Sequence, residues 1–402
     1  MSQASKFAPL LLLIATPVAF GQDITARFYP EKQQYVVGEP IVIVLEVTNR
    51  TSHAVDVDDE NCRWMHASQF QVTNATVKAE VGLLGCASWG GIAGDCLSGA
   101  RRTPPGGTFE QRFLLDDPSL PQFDLSEPGT YHVKATRQVT IYRKNGLGDI
   151  REIIDAENEF DIMLRNPDEG ELEARYERFV KDLGSTDYKV STLAGAALTQ
   201  DPPEFLESVI LSLADSRDMG LRYQSIQGLK RLATPAARTK LIDMASDSDE
   251  SLAQQAIPAL GEIANPRDCA AILKIAVRWR QYTQSLAYMA AGRICREKAV
   301  LPLTSLLSTA DDELAMAIAT GLGNTASRDA IPPLIDLLAS PDRFVRRQAE
   351  GALFTLTHRS MQDVSTAEAA AQVSSGWRSW RLMNSESAQV YGPDQCPPAS
   401  SQ

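Results

Sequence analysis

Sliding the C-terminal half of the chain along itself brings five segments into register at steps of 31 residues, and no other feature restricts the fold so tightly. They are Leu229-Lys230-Arg231-Leu232, Leu260-Gly261-Glu262-Ile263, Ala291-Gly292-Arg293-Ile294, Leu322-Gly323-Asn324-Thr325 and Leu353-Phe354-Thr355-Leu356. Two more columns keep the same step: Leu241, Ile272, Leu303, Leu334, and Met244, Ile275, Leu306, Leu337. These columns are three residues apart, so they share one face of a helix. Asp218, Asp249, Asp311 and Asp342 recur just ahead of a new helix. There a carboxylate can accept hydrogen bonds from the exposed first N–H groups. Arg280 breaks that column.

Each unit reads as helix, loop, helix, turn, with Ala or Gly where helices cross closely. One such pair cannot hide its apolar face alone, whereas stacked pairs hide each other's, which predicts an α-solenoid over 190–358. Val190 to Ala214 fits the columns less well and reads as an N-terminal capping unit. The step is shorter than the ~33 and ~34 residues of ankyrin and tetratricopeptide units. Residues 346–356 (RRQAEGALFTL), 256–263 (AIPALGEI) and 329–338 (DAIPPLIDLL) resemble short HEAT-like repeats of the type also found in phycobilisome lyases. The resemblance covers about Leu221 to Leu356. It implies an elongated surface offered to a protein partner.

Residues 22–165 have a different grain. ITARFYP, Ile41 to Val47, Phe109 to Leu115, Tyr131 to Thr136, Gln138 to Lys144, Ile150 to Ile154 and Glu159 to Leu164 read as strands separated by turns. Asn145-Gly146 is a strong hairpin signal. Short strands without intervening helix predict an antiparallel β-sandwich. YVVGEPIVIVLEVTN and PGTYHVKA resemble immunoglobulin-like modules of exported bacterial proteins. The fold class expected is therefore β plus α: an Ig-like sandwich, then a solenoid of HEAT-like pairs with a 31-residue period.

The chain opens with Lys6 and an apolar run from Phe7 to Phe20, followed by small residues suited to a signal peptidase, so 1–21 read as a secretory signal peptide. The run is too short to span a bilayer, and no later stretch supplies a membrane span. Residues 166–189 form a helical linker, 359–383 a capping segment in which Trp377 and Trp380 lie over the last repeat, and 384–402 a loose tail. Export permits disulfides among Cys62, Cys86, Cys96, Cys269, Cys295 and Cys396. Cys86 and Cys96 bracket a Gly-rich loop and form the favoured pair. Cys62 is left for Cys396 or for no partner, and Cys269 and Cys295 are expected as small core residues. A zinc site from Cys62, His66, Cys86 and Cys96 is the weaker alternative, since its spacing matches no regular finger.

The net charge of −12 disfavours general nucleic-acid binding, which needs a basic face. No nucleophile elbow, phosphate loop or helical zinc-protease motif occurs in the sequence, and no cofactor motif emerges. Asp56 to Asn61 is rich in oxygen ligands but fails the EF-hand pattern, so it reads as a solvated loop. Between Met219 and Leu356, 16 Lys and Arg face 14 Asp and Glu, which makes the array the least acidic region. Its third full unit replaces the acidic turn with Arg278, Trp279, Arg280 and Tyr282. Exposed Arg and aromatic residues anchor interfaces; in the competing reading Trp279 packs into a neighbouring turn and the arginines are merely solvated. The column Asp243, Lys274, Ser305, Asp336 is expected on the concave side if HEAT geometry carries over, so Asp243, Lys274 and Asp336 join the candidate contact residues. The reading is an exported, non-catalytic protein-binding or scaffolding protein. The alternatives are a lyase-like enzyme, by analogy with the repeat's relatives, and a protease-inhibitor or envelope module residing in the sandwich.

Overall fold

Residues Ile41 to Leu45 are apolar at every position, and β3 (Val42–Asn49), the strand they open, is buried on both sides along its first four residues. A β-branched run of that kind suits the middle of a sheet. β3 lies between β1 (Ile24–Pro30) and β8 (Thr108–Leu114), antiparallel to both. The structure, a computed structural model, describes residues 23–58, 69–74, 79–80, 100–115, 123–145, 148–361, 364–384 and 389–393.

The second sheet runs β2 (Gln34–Val36), β10 (Gly148–Arg165), β9 (Gly129–Asn145), β4 (Val55–Asp58) and β7 (Ala100–Thr103). β5 (Gln69–Asn74) also pairs with β9, and β6 (Ala79–Glu80) with β5. Residues from both sheets, among them Phe28, Ile43, Leu45, Val57, Phe70, Tyr131, Val133, Ile141 and Ile162, share one apolar core. The sequence suggested two strands within 131–144 and two more within 150–164. Each pair is instead one long strand, and β9 and β10 stay in antiparallel register from Gly129↔Leu164 to Asn145↔Gly148. The joint in β9 is Arg137, whose charge reads as a break. Its side chain lies inside the unit, donating to Gln111 at 3.2 Å and stacking over Phe113. One pairing, β2 with the end of β10, is parallel.

The chain divides into two units, Met1–Glu169 and Gly170–Gln402. The second is helical: α1 (Glu171–Asp182), α2 (Tyr188–Thr199), α3 (Glu207–Leu213), α4 (Met219–Leu232), α5 (Pro235–Ala245), α6 (Glu250–Ile263), α7 (Cys269–Arg278), α8 (Gln281–Cys295), α9 (Val300–Leu306), α10 (Asp312–Gly323), α11 (Ile331–Leu337), α12 (Arg343–Thr357) and α13 (Ala367–Asn384). The even-numbered helices from α2 to α12 pack successively into one row, and α3, α5, α7, α9 and α11, the odd row, each pack on the even-numbered helix that follows. The repeated Leu columns line the interior between rows: Leu229, Leu260, Leu322, Leu353, Leu241, Ile272, Leu303 and Leu334 are all buried.

Small residues set the spacing of the even row. A Cβ on Gly292 of α8 would lie 1.9 Å from the Gly321 carbonyl oxygen of α10, and one on Gly323 would lie 2.9 Å from the Ala352 Cβ of α12. Side-chain hydrogen bonds cross the same row. Gln224 donates to the Thr192 carbonyl, Lys230 pairs with Glu262, Gln254 donates to Thr283, Asn324 to the Met289 carbonyl and Gln348 to Thr320, at 2.7–3.3 Å. Polar groups left inside a helix interface are costly unless paired, so these bonds also fix which helix follows which.

Helix starts follow the Asp column. Asp187, Asp218, Asp249, Asp311 and Asp342 each accept from a backbone N–H of the first turn of α2, α4, α6, α10 and α12. After α12, α13 packs on α11. Trp377 is fully buried, gives its indole N–H to Glu350 at 2.9 Å and meets Trp380 edge to face at 5.3 Å. Arg346, also buried, is held by the carbonyls of Ser340, Pro341, Val364 and Ser365. The two tryptophans are thus packing residues.

One expectation is overturned here. Cys269 and Cys295 are not separate core residues; they form a disulfide with Cα atoms 4.9 Å apart. The antiparallel α7–α8 hairpin places the first residue of one helix beside the last of the other, a proximity that a separation of 26 positions conceals in the sequence. The leader, Asp59 to Asn61, His66, Cys62, Cys86, Cys96 and Cys396 lie outside the described residues.

Candidate protein-docking site

At the joint between α7 and α8, residues 277–282 depart from every other turn of the array. Where Asp stands elsewhere, Arg280 precedes α8 in an extended conformation, and no side chain caps the helix. The cap's absence leaves first-turn N–H groups to water, a loss of about 1 kcal/mol. What the turn presents instead is Val277, 69% exposed, Tyr282, 49% exposed, and the exposed Arg278 and Arg280.

Trp279 sits at the centre of this group, half-buried. Its indole N–H donates to the Ala245 carbonyl at the end of α5 at 3.0 Å, and the Arg278 guanidinium lies over its ring at 5.6 Å. Gln284 ties α8 back to α7 through the Ala276 carbonyl at 3.2 Å. Behind it Tyr288 is buried, and burial raises its phenol above the ordinary value although Arg280 acts in the opposite direction. The base of the same hairpin carries the Cys269–Cys295 disulfide. The tip is therefore held by an indole anchor and the base by a covalent bond, while Val277, Arg278, Arg280 and Tyr282 are exposed at the tip.

The structure brings Lys274, Arg278, Trp279, Arg280 and Tyr282 onto one hairpin. Lys274 is exposed one helical turn before Arg278. Asp243 occupies the same position on α5 and is exposed, as is Ser305 on α9. Asp336 on α11 is exposed as well and faces Arg378 of α13 at 3.4 Å. That column belongs to the odd-numbered row. The close backbone approaches at Gly292 and Gly323 lie between even-numbered helices. Trp279 packs into a neighbouring turn through its nitrogen, as the competing reading has it, and the exposure of its arginine neighbours is common to both readings. The disulfide was the part sequence reasoning missed.

Two overlapping stretches of the helical unit, 206–280 and 270–353, match the family model for HEAT repeats. Residues 206–353 carry HEAT repeats. The match begins at α3 and ends inside α12, taking in the whole 277–282 turn. Among solved structures, an engineered protein is similar at 22% identity over 45% of this chain and 95% of its own, with a TM-score of 0.30. The sporulation control protein Spo0M from Bacillus subtilis is similar at 14% identity over 40% of this chain and 56% of its own, with a TM-score of 0.18. Both likenesses are too distant to bear on the argument. No curated protein matches the chain. Among the described residues, no group of His, Cys, Asp and Glu is arranged to hold a metal ion, and no helix is long and apolar enough to cross a membrane.

Proposed function

We propose that this chain is an exported, non-catalytic binding or scaffolding protein, built as an Ig-like sandwich followed by HEAT repeats of a regular 31-residue unit, and that it docks a protein partner at the 277–282 turn. HEAT repeats generally mediate protein interaction, which supports the class of partner. The observation that carries the reading is the loss of a capping Asp at one turn in favour of exposed arginines and a tyrosine around an anchored tryptophan. A local rule broken without gain to the fold is expected at functional positions. Arg, Trp and Tyr are also the residue types that dominate binding energy at interfaces. The disulfide supports export, since such bonds persist in oxidising compartments.

The test is affinity capture with the intact mature chain as bait in an extracellular or periplasmic extract, beside an Arg278→Ala, Arg280→Ala double variant. A partner held by the parent and lost by the variant supports the reading; identical captured sets refute it. Mass spectrometry of the secreted chain, with a first residue near Gln22, checks the export half.

A further inference from the structure

We propose that the 277–282 turn takes a compact acidic segment of its protein partner, one or two carboxylates beside an apolar side chain, and that basic residues on both flanks of that segment are selected by the acidic turns on either side. This rests on the docking reading above and adds the chemistry of the occupant.

The turns that lead into α4, α6, α8, α10 and α12 lie along one edge of the helical unit, because each joins an odd-row helix to an even-row one. Immediately before the docking turn come Asp247, Asp249 and Glu250; immediately after it come Asp311, Asp312 and Glu313. The side chains of Asp249 and Asp311 cap helices, and Asp247 is held below the usual carboxylate range chiefly by the Asp249 backbone N–H, with Arg222 contributing. Two arginines are thus framed by an acidic turn on each side, Asp247 being shared with Arg222 at 3.2 Å.

Packed helices are about 8–10 Å apart, close to the Debye length of about 8 Å at physiological salt. A ligand seated on the arginines therefore senses both acidic frames. Double-stranded nucleic acid, with a charge every ~1.7 Å along its axis, would bring phosphates against those carboxylates wherever it ran along the edge. A compact acid avoids them, and a basic flank gains from them. Each guanidinium can take a carboxylate in a two-pronged hydrogen bond. Val277 and Tyr282 supply exposed apolar area beside that charge pair. The Trp279 anchor and the disulfide hold the backbone between the two arginines, so little order must be acquired on binding.

The experiment uses the intact oxidised chain and fluorescence anisotropy with labelled probes: a peptide with a central Asp-Leu-Asp and lysines on both flanks, the same centre with glutamates on both flanks, an oligoglutamate and a DNA duplex. The lysine-flanked peptide is expected to bind at least ten times more tightly than the other three. Arg278→Glu with Arg280→Glu should abolish that binding, and Asp312→Lys with Glu313→Lys, which spares the Asp311 cap, should shift preference towards the glutamate-flanked peptide. Circular dichroism and melting curves confirm that the variants fold. Equal binding of all probes, no binding of the lysine-flanked peptide, or a preference unmoved by the Asp312 and Glu313 changes would each overturn the proposal. If the double Arg→Ala variant still loses a captured partner, the docking reading stands and only the charge pattern falls; if it loses none, the docking reading falls with it.

Discussion

Replacing Gly292 by Ala measures how far the even row depends on backbone contact. A Cβ there would lie 1.9 Å from the Gly321 oxygen, 2.7 Å from its carbonyl carbon and 3.0 Å from its Cα. Ordinary nonbonded separations are about 3.5–4.0 Å. The obstacle is main chain inside a helix, so no rotamer change relieves it and α8 and α10 must part. Forced overpacking costs about 1–3 kcal/mol, and more where backbone must move. Alanine's advantage over glycine in a helix returns about 1 kcal/mol, leaving a net loss of about 2 kcal/mol. Gly351, inside α12, is the matched control, because a Cβ there meets nothing within 4 Å. The same change should stabilise by about 1 kcal/mol. At about 2–4 °C per kcal/mol for a unit of this size, the Gly292→Ala chain should melt roughly 4–8 °C lower and the Gly351→Ala chain a few degrees higher. Calorimetry on the intact protein reads both. If Gly292→Ala melts at or above the parent, helix crossing through these glycines is not what sets the row.

Three further outcomes follow from particular contacts. Arg280→Asp restores the missing cap and should raise the helical unit's stability by about 1 kcal/mol while weakening partner capture, so a gain or loss in both would contradict the trade of stability for binding at this turn. Replacing Cys269 and Cys295 together by Ala should remove about 3–4 kcal/mol, the loop-closure value for a ring of this length; an unchanged denaturation midpoint would mean that the bond does little for the fold. His132 donates its Nδ1–H to Asp161 at 2.9 Å, and that hydrogen bond raises its imidazole above the ordinary 6.5, with Glu159 adding to the effect. The contribution to stability is full below the unfolded value and fades as pH rises through the higher folded one. It is small, since the side chain is 41% exposed. An NMR titration should place the midpoint above 6.5, and Asp161→Asn should lower it.

The helical unit was largely legible because its determinants repeat. Leu229, Leu260, Leu322 and Leu353 are buried at equivalent places, and the Asp residues ahead of α4, α6, α10 and α12 cap as their spacing implies. Arg280 was legible for the same reason, as a departure from a column. The β unit was read less well, because a buried arginine such as Arg137 looks like a strand boundary until the opposite sheet supplies Gln111 and Phe113 around it. Cys269 and Cys295 were misread as separate core residues because their bond depends on how a hairpin folds back. Solvent exposure was equally hidden: Val277 has the composition of a core residue and the position of a surface one.

That bond also changes what mechanical load can do to the molecule. When the polypeptide is pulled from its two ends, force passes from residue 269 to residue 295 through sulfur, across 4.9 Å between Cα atoms. The stretch between them, on the order of 90 Å of extended contour at about 3.4 Å per residue, is never drawn out. Repeats on either side can unravel and rewind while the strand carrying Arg278, Trp279 and Arg280 stays slack. A partner gripping that point would keep its hold on a partly unspooled tether.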